Sequence, residues 1–376
     1  MMQSCQPDIA RLAGFLGYSC DDPTGLVHVH NPLSLTNWTL PVVELLMITG
    51  AVLALWFAIR RLRRAGDPSS LVLWLASVIY AVMIEPPQHF PGAMGIQQLG
   101  IVCAHNIFTV DFLYDSLPLY IVALYPAVVT LAFDIVRAVG IFARRGAAVG
   151  AVCVGFVHGC FYEVFDHLGP QLRWWVWNGA NPLNHPALGS VPVGSVVNFA
   201  MFGPAALGLL VYLLVTKPFA AGRPISPWSM LWRVPVTGVL APLAMAVLSL
   251  PSVLLINHGI ARSALFGLEI AAFVMIAAPA LVQEWRAARR GVGTSYPSSY
   301  VRIFGTMYLL TFAALWLSAL PDFAGAIDGV TGTGTPIGNL PYAALCFLVA
   351  GYCVAGVSTL ADIHNPANPA SRPTGV

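Results

Sequence analysis

Charge is what this sequence has least of. Only 9% of its 376 residues are Asp, Glu, Lys or Arg and 57% are apolar, whereas soluble domains carry roughly 25% charged residues. A soluble core cannot absorb that much apolar surface; helices stacked in lipid can. Lysine is nearly missing as well: of the 18 basic residues, all but Lys217 are Arg. That usage points to a GC-rich bacterial genome and carries no chemistry. A net charge of +2 without a basic stripe or recognition motif excludes a nucleic-acid partner. Several motifs are absent too: His-Glu-x-x-His, Gly-x-Ser-x-Gly, a Walker loop, Gly-x-Gly-x-x-Gly after a strand, and paired Cys-x-x-Cys. Their absence removes the standard signatures of metalloproteases, serine hydrolases, nucleotide binding and thiol redox chemistry. No internal repeat is visible. The first 39 residues do not read as a cleavable leader, lacking a charged start, an apolar stretch and a small-residue cleavage site.

What the chain does contain is long apolar runs. A bilayer core takes roughly 20 apolar residues per helix. Such runs fall at about 40–59, 70–86, 116–139, 146–167, 191–215, 233–256, 263–283, 302–320 and 338–360. The expected fold is therefore all-α, a polytopic helical membrane protein of about nine transmembrane helices. Residues 1–39 form an N-terminal tail, 40–360 the helical bundle and 361–376 a C-terminal tail. Pro118, Pro126, Pro204, Pro242 and Pro279 lie inside these runs, where neighbouring groups can satisfy the carbonyls that proline frees.

The arginines set the orientation. Arg60, Arg61, Arg63 and Arg64 follow the first span, Arg144 and Arg145 the third, Lys217 and Arg223 the fifth, and Arg286, Arg289 and Arg290 the seventh. The alternate loops hold only Arg11, Arg173 and Arg262. The arginine-rich loops are thus expected in the cytoplasm of a bacterial cell, with the N-terminus outside and the C-terminus inside. Residues 96–113 are apolar enough to resemble a tenth span. Counting them would push Arg144 and Arg145 outward and place Gln97, Gln98, His105, Asn106 and Asp111 in lipid. The segment reads instead as interfacial or re-entrant.

Several features have plain explanations. In the tail, Ile9, Leu12, Ala13 and Leu16 fall at helical spacing, predicting a short interfacial helix. Cys5 and Cys20 flank it in a disulfide-permissive compartment, so either a bridge or two free thiols fits. Cys153 with Cys160, and Cys346 with Cys353, suit small side chains packed between helices. Trp174, Trp175 and Trp177 fit either a headgroup-level aromatic belt or a substrate-stacking surface. Asp134 and Arg137, three apart, suggest a local ion pair.

The intramembrane ionisable groups are the informative set, because they gather at one side. The second span ends Glu85-Pro86-Pro87-Gln88-His89, and the fourth ends His158-Gly-Cys-Phe-Tyr-Glu163-Val-Phe-Asp166-His167. Glu163 and His167 are four apart with Asp166 between them, so a helix places all three on neighbouring positions of one face. A carboxylate and an imidazole so arranged can chelate a divalent metal or form a carboxylate-oriented general base. Glu85 and His89 repeat the spacing, although two prolines argue against a regular helix there. Solvated groups at a helix end, or interhelical hydrogen bonds, are the plain alternatives.

Three function classes follow. The leading one is a membrane-embedded enzyme acting on a lipid or isoprenoid-like substrate, a hydrophobic small molecule reached from membrane lipid at the outer leaflet. Its acid–base or metal centre is Glu163 with His167, Glu85 is a second carboxylate, and Arg173 with the tryptophans holds a headgroup. The second is a transporter or proton-coupled carrier using Glu85, Glu163 and Glu269. The third is a non-catalytic subunit or assembly factor whose polar groups pin helices together.

Overall fold

The computed structural model describes residues 7–19, 25–96, 100–184, 186–291 and 298–363. Cys5 and Cys20, and most of the C-terminal tail, lie outside the described residues. Within them, nine helices are long and apolar enough to cross a membrane. After a short helix α1 (Pro7–Leu16), these are α2 (Thr39–Ala65), α3 (Ser69–His89), α4 (Leu119–Ala138), α5 (Ile141–Asp166), α6 (Ser195–Ala220), α7 (Pro227–Leu254), α8 (Gly259–Arg289), α9 (Ser299–Ala324) and α10 (Leu340–Ile363). Each coincides with one of the expected runs. The chain is an integral, multi-pass membrane protein in contact with lipid.

The helices overrun the apolar runs at their charged ends. α2 continues through Arg63 and Arg64 because arginine is a good helix former and suits the negative end of the helix dipole. Gly66, at φ +66°, then stops it, donating its N–H back to the Leu62 carbonyl. α3 continues through Pro86 and Pro87 to His89, against the expectation that the prolines would break it. The Phe90 N–H donates to the Pro86 carbonyl at 2.8 Å and the Gln88 side chain to the Ile84 carbonyl at 3.2 Å. The prolines therefore lose only the bonds their own nitrogens would have made. Pro118 does not lie inside a helix; it is the extended residue that starts α4. α6 is wound partly as π-helix, over Ser195–Phe202 and Tyr212–Thr216.

α4 and α5 are buried almost all round and form the centre of the bundle. α2, α3 and α9 pack on α4, while α6, α8 and α10 pack on α5. Leu243, Val247 and Leu250 on α7, and Leu268 and Met275 on α8, turn outward, as lipid-facing side chains must. Two α5 carbonyls accept hydrogen bonds from α9: Phe161 from Tyr308 at 2.8 Å, and Val164 from Trp316 at 3.0 Å. These bonds fix the height of the polar end of α5.

Short strands cover that end. β1 (Val27–Val29), β3 (Val110–Phe112) and β4 (Leu117–Pro118) form one antiparallel sheet. β2 (Cys103–His105) pairs with β5 (Trp175–Trp177), and β6 (Pro186–Leu188) with β7 (Val191–Pro192). The described part of 96–113 is thus loop and strand, and adds no span. α1 forms where its periodicity places it, and Leu12 and Leu16 bury against Ile101 and Ala104 beside the β2–β5 ribbon. Asp134 and Arg137 each make a link to a more distant part of the chain. Arg137 reaches Asp67 at 2.6 Å and Asp134 takes Arg61 at 3.3 Å, which joins helix ends that neighbouring residues could not.

Candidate functional site

Buried carboxylates occur at both ends of the bundle, in different company. At the arginine-rich end, Glu284 receives Arg144 and Arg145, each at 2.6 Å. Burial pushes the Asp67 carboxyl up, but Arg137 and the Ser69 hydrogen bonds more than offset it and hold it below the usual range. At the loop-rich end, the ion-pair partners of Glu85 and Glu163 among the described residues are histidines.

α5 supplies the deepest part of the loop-rich end. Glu163, Asp166 and His167 are fully buried there. His167 Nε2 lies 3.1 Å from Glu163 Oε2, as the four-residue spacing predicts. The Asn339 N–H donates to His167 Nδ1 at 3.1 Å. That acceptor role puts the proton of the neutral ring on Nε2, facing the carboxylate. Gly338 makes this contact possible, since a Cβ there would collide with the His167 carbonyl oxygen. Neither Glu163 nor Asp166 has a side-chain hydrogen bond of standard geometry, an expensive arrangement for buried polar atoms. Deeper on α5, the His158 Nδ1–H donates to the Ala200 carbonyl in the π-helical part of α6 at 2.8 Å.

α3 and α4 supply the second group. The Tyr125 hydroxyl donates to Glu85 Oε1 at 2.5 Å, and Glu85 Oε2 is 3.5 Å from His89 Nε2. The spacing discounted for its prolines is therefore a real contact. Tyr162 lies within electrostatic reach of Asp166, Glu85 and Glu163, and links the two groups.

The β2–β5 ribbon closes the end. Alternation along β2 turns Cys103 and His105 to one face, and their cross-strand partners are Trp177 and Trp175. Cys103 Sγ is 3.9 Å from His105 Nε2, and the His105 ring centre is 5.4 Å from that of His89. Burial raises the Cys103 thiol well above its ordinary value, as do Glu85 and Asp166. Burial, then His89, lowers His105. A slot of about 30 Å³ lies between ribbon and helices, lined on its polar side by Glu85, Cys103, His105, Tyr125 and Tyr162. Its apolar side includes Ile121, Leu124, Phe165, Trp175 and Trp177. That volume is about the room of one water molecule. Half-buried Gln88, Trp177 and Phe199 mark where the slot meets the surface.

Of the residues singled out from sequence, the slot gathers Glu85, Trp175 and Trp177, with Glu163, Asp166 and His167 buried at the same end. Trp174 is fully buried, donates to the Thr39 hydroxyl at 2.8 Å and packs on Phe165. Arg173, at φ +58°, donates to the Thr333 carbonyl and does not line the slot. Sequence reasoning missed Cys103 and the tyrosines on Glu85 and His105; the alternating Cys-Ala-His was the one available signal. It also missed a surface cluster, where His28 Nδ1 and Asp115 Oδ1 are 2.5 Å apart beside His30.

In comparisons with protein-family models, curated proteins and solved structures, nothing matches this chain.

Proposed function

We propose that this protein is a membrane-embedded enzyme that carries out acid–base chemistry on a lipid or isoprenoid-like substrate at its loop-rich end. One observation carries the reading. Among the described residues, Glu85 and Glu163 at that end pair with histidine and with no arginine or lysine, near a slot lined by both polar and aromatic side chains. Intramembrane ionisable groups kept at such expense are functional by default. Glu163, oriented by neutral His167, exchanges a proton, and Glu85 with Tyr125 forms the second acid–base pair. The substrate's reacting group displaces the water-sized volume of the slot, while its apolar chain lies along Ile121, Leu124 and Phe199. In this reading Trp175 and Trp177 wall the substrate. A headgroup contact by Arg173 requires it to exchange its Thr333 partner.

A proton-coupled carrier would need ionisable groups free to act at the far end too. There, Asp67, Asp134 and Glu284 are each paired with arginine, which favours the enzyme. The test is turnover by purified protein in liposomes of total bacterial lipid supplemented with long-chain isoprenoid alcohols, with products read by mass spectrometry. The expected result is a product formed by the wild type and lost at least 100-fold in Glu163→Gln, the scale of general acid–base catalysis. A Gln variant that turns over at the wild-type rate removes Glu163 from the chemistry. No product from any lipid in the extract removes the enzyme reading.

A further inference from the structure

We infer that His89, Cys103 and His105 form a binding site for a divalent transition-metal ion of borderline softness, of which zinc(II) is the type. The three residues come from two elements, the last turn of α3 and strand β2, and all are buried. One donor atom from each lies within 4.8 Å of the other two. A tetrahedral zinc ion with bonds of about 2.0–2.3 Å holds its donors about 3.3–3.7 Å apart. The observed 3.9 Å between Cys103 Sγ and His105 Nε2 is already close to that spacing. His89 Nε2 is buried and makes no hydrogen bond of standard geometry.

The surroundings fit a metal ion better than a hydrogen-bonded cluster. The Tyr120 hydroxyl lies 3.4 Å from His105 Nδ1, the outer-shell contact that orients a ligating imidazole and leaves Nε2 for the ion. Glu85 Oε2, 3.5 Å from His89 Nε2, stands where a fourth ligand or the partner of a bound water belongs. One thiolate, one carboxylate and two neutral imidazoles sum to two negative charges, which a divalent ion cancels in a buried site. Imidazole with thiolate selects a borderline ion over magnesium or calcium. The donor set differs from the Glu163–Asp166–His167 constellation on α5, and metal content can be read whether or not turnover is found.

The experiment is metal analysis of detergent-purified, full-length protein exposed to zinc and then desalted, together with cobalt(II) substitution. The expected content is about one zinc per chain, with a cobalt–thiolate charge-transfer band in the near ultraviolet. Cys103→Ser and His105→Ala should lose at least tenfold in affinity, while Glu163→Gln and the surface variant His28→Ala retain the ion. If Cys103→Ser fails to fold, the wild-type cobalt spectrum still decides, since only a thiolate ligand gives that band. Folded wild type with neither bound zinc nor the band overturns the site. So does zinc that survives Cys103→Ser but is lost in Glu163→Gln.

Discussion

At the arginine-rich end Glu284 sits between two guanidinium groups at 2.6 Å, whereas at the loop-rich end Glu163 has a single imidazole at 3.1 Å. Both carboxylates are buried. The first sits between two permanent cations and ties α8 to α5. The second faces an imidazole, which carries no permanent charge, so it remains free to take or give a proton. The contrast separates carboxylates that hold helices together from carboxylates kept available for chemistry. It also follows the uneven distribution of arginine along the chain, from which the positive-inside rule gives the expected orientation.

The largest effect that bears on this contrast is all-or-none. A reporter active only in the cytoplasm, fused after Arg64, Arg145, Arg223 or Arg290, should be active, and fused near Gly95, Gly179 or Gly329 it should be silent. Activity at Gly179 would invert the assignment of the two ends. Next come paired substitutions. Glu163→Gln should abolish turnover with the melting temperature nearly unchanged. Glu284→Gln should keep turnover and cost roughly 1–3 kcal/mol, the range for charge-assisted hydrogen bonds to partly exposed arginines. If both variants lose stability alike and neither affects turnover, the two ends do not differ in kind.

Gly338→Ala probes the link between fold and site. Its Cβ would press on the His167 carbonyl, so turnover should fall by about 10–100-fold, the usual effect of sub-ångström to ångström misplacement. Unchanged activity would show that the Asn339–His167 contact does not orient the ring.

The smallest effect concerns pH. Burial, reinforced by Asp115 and Glu44 and opposed by the Phe108 N–H, pushes Asp111 up to about 8 from an ordinary 3.8. A carboxyl raised on folding favours the folded state at low pH. That contribution is complete below about 3.8 and is lost as pH rises through about 8. Melting temperature measured from pH 4 to 8 should therefore decline more steeply in the wild type than in Asp111→Asn. Equal slopes would mean that Asp111 does not titrate in this window.

The bundle was legible because the bilayer imposes one rule on every span, and a run of apolar residues satisfies it locally. Glu163 and His167 were legible for a similar reason, as helical geometry alone brings residues four apart together. Glu85 and His89 obeyed the same geometry and were discounted for Pro86 and Pro87, yet α3 runs through both prolines to His89. Cys103 and His105 gave almost no signal, because a strand of three residues is too short to show a period. Its partner Trp175–Trp177 lies two helices further along the chain.

By itself, the sequence determined the membrane class, the places of the nine spans and the i, i+4 pair of Glu163 and His167. All are consequences of composition and local periodicity. The tertiary structure decided which buried carboxylates meet arginine and which meet histidine. Asp67–Arg137, Asp134–Arg61 and Glu284–Arg145 join different helices or the loops between them. It likewise brought β2 over α3 to gather His89, Cys103 and His105. Such contacts depend on how helices pack and loops fold back, and no local pattern in the chain encodes that.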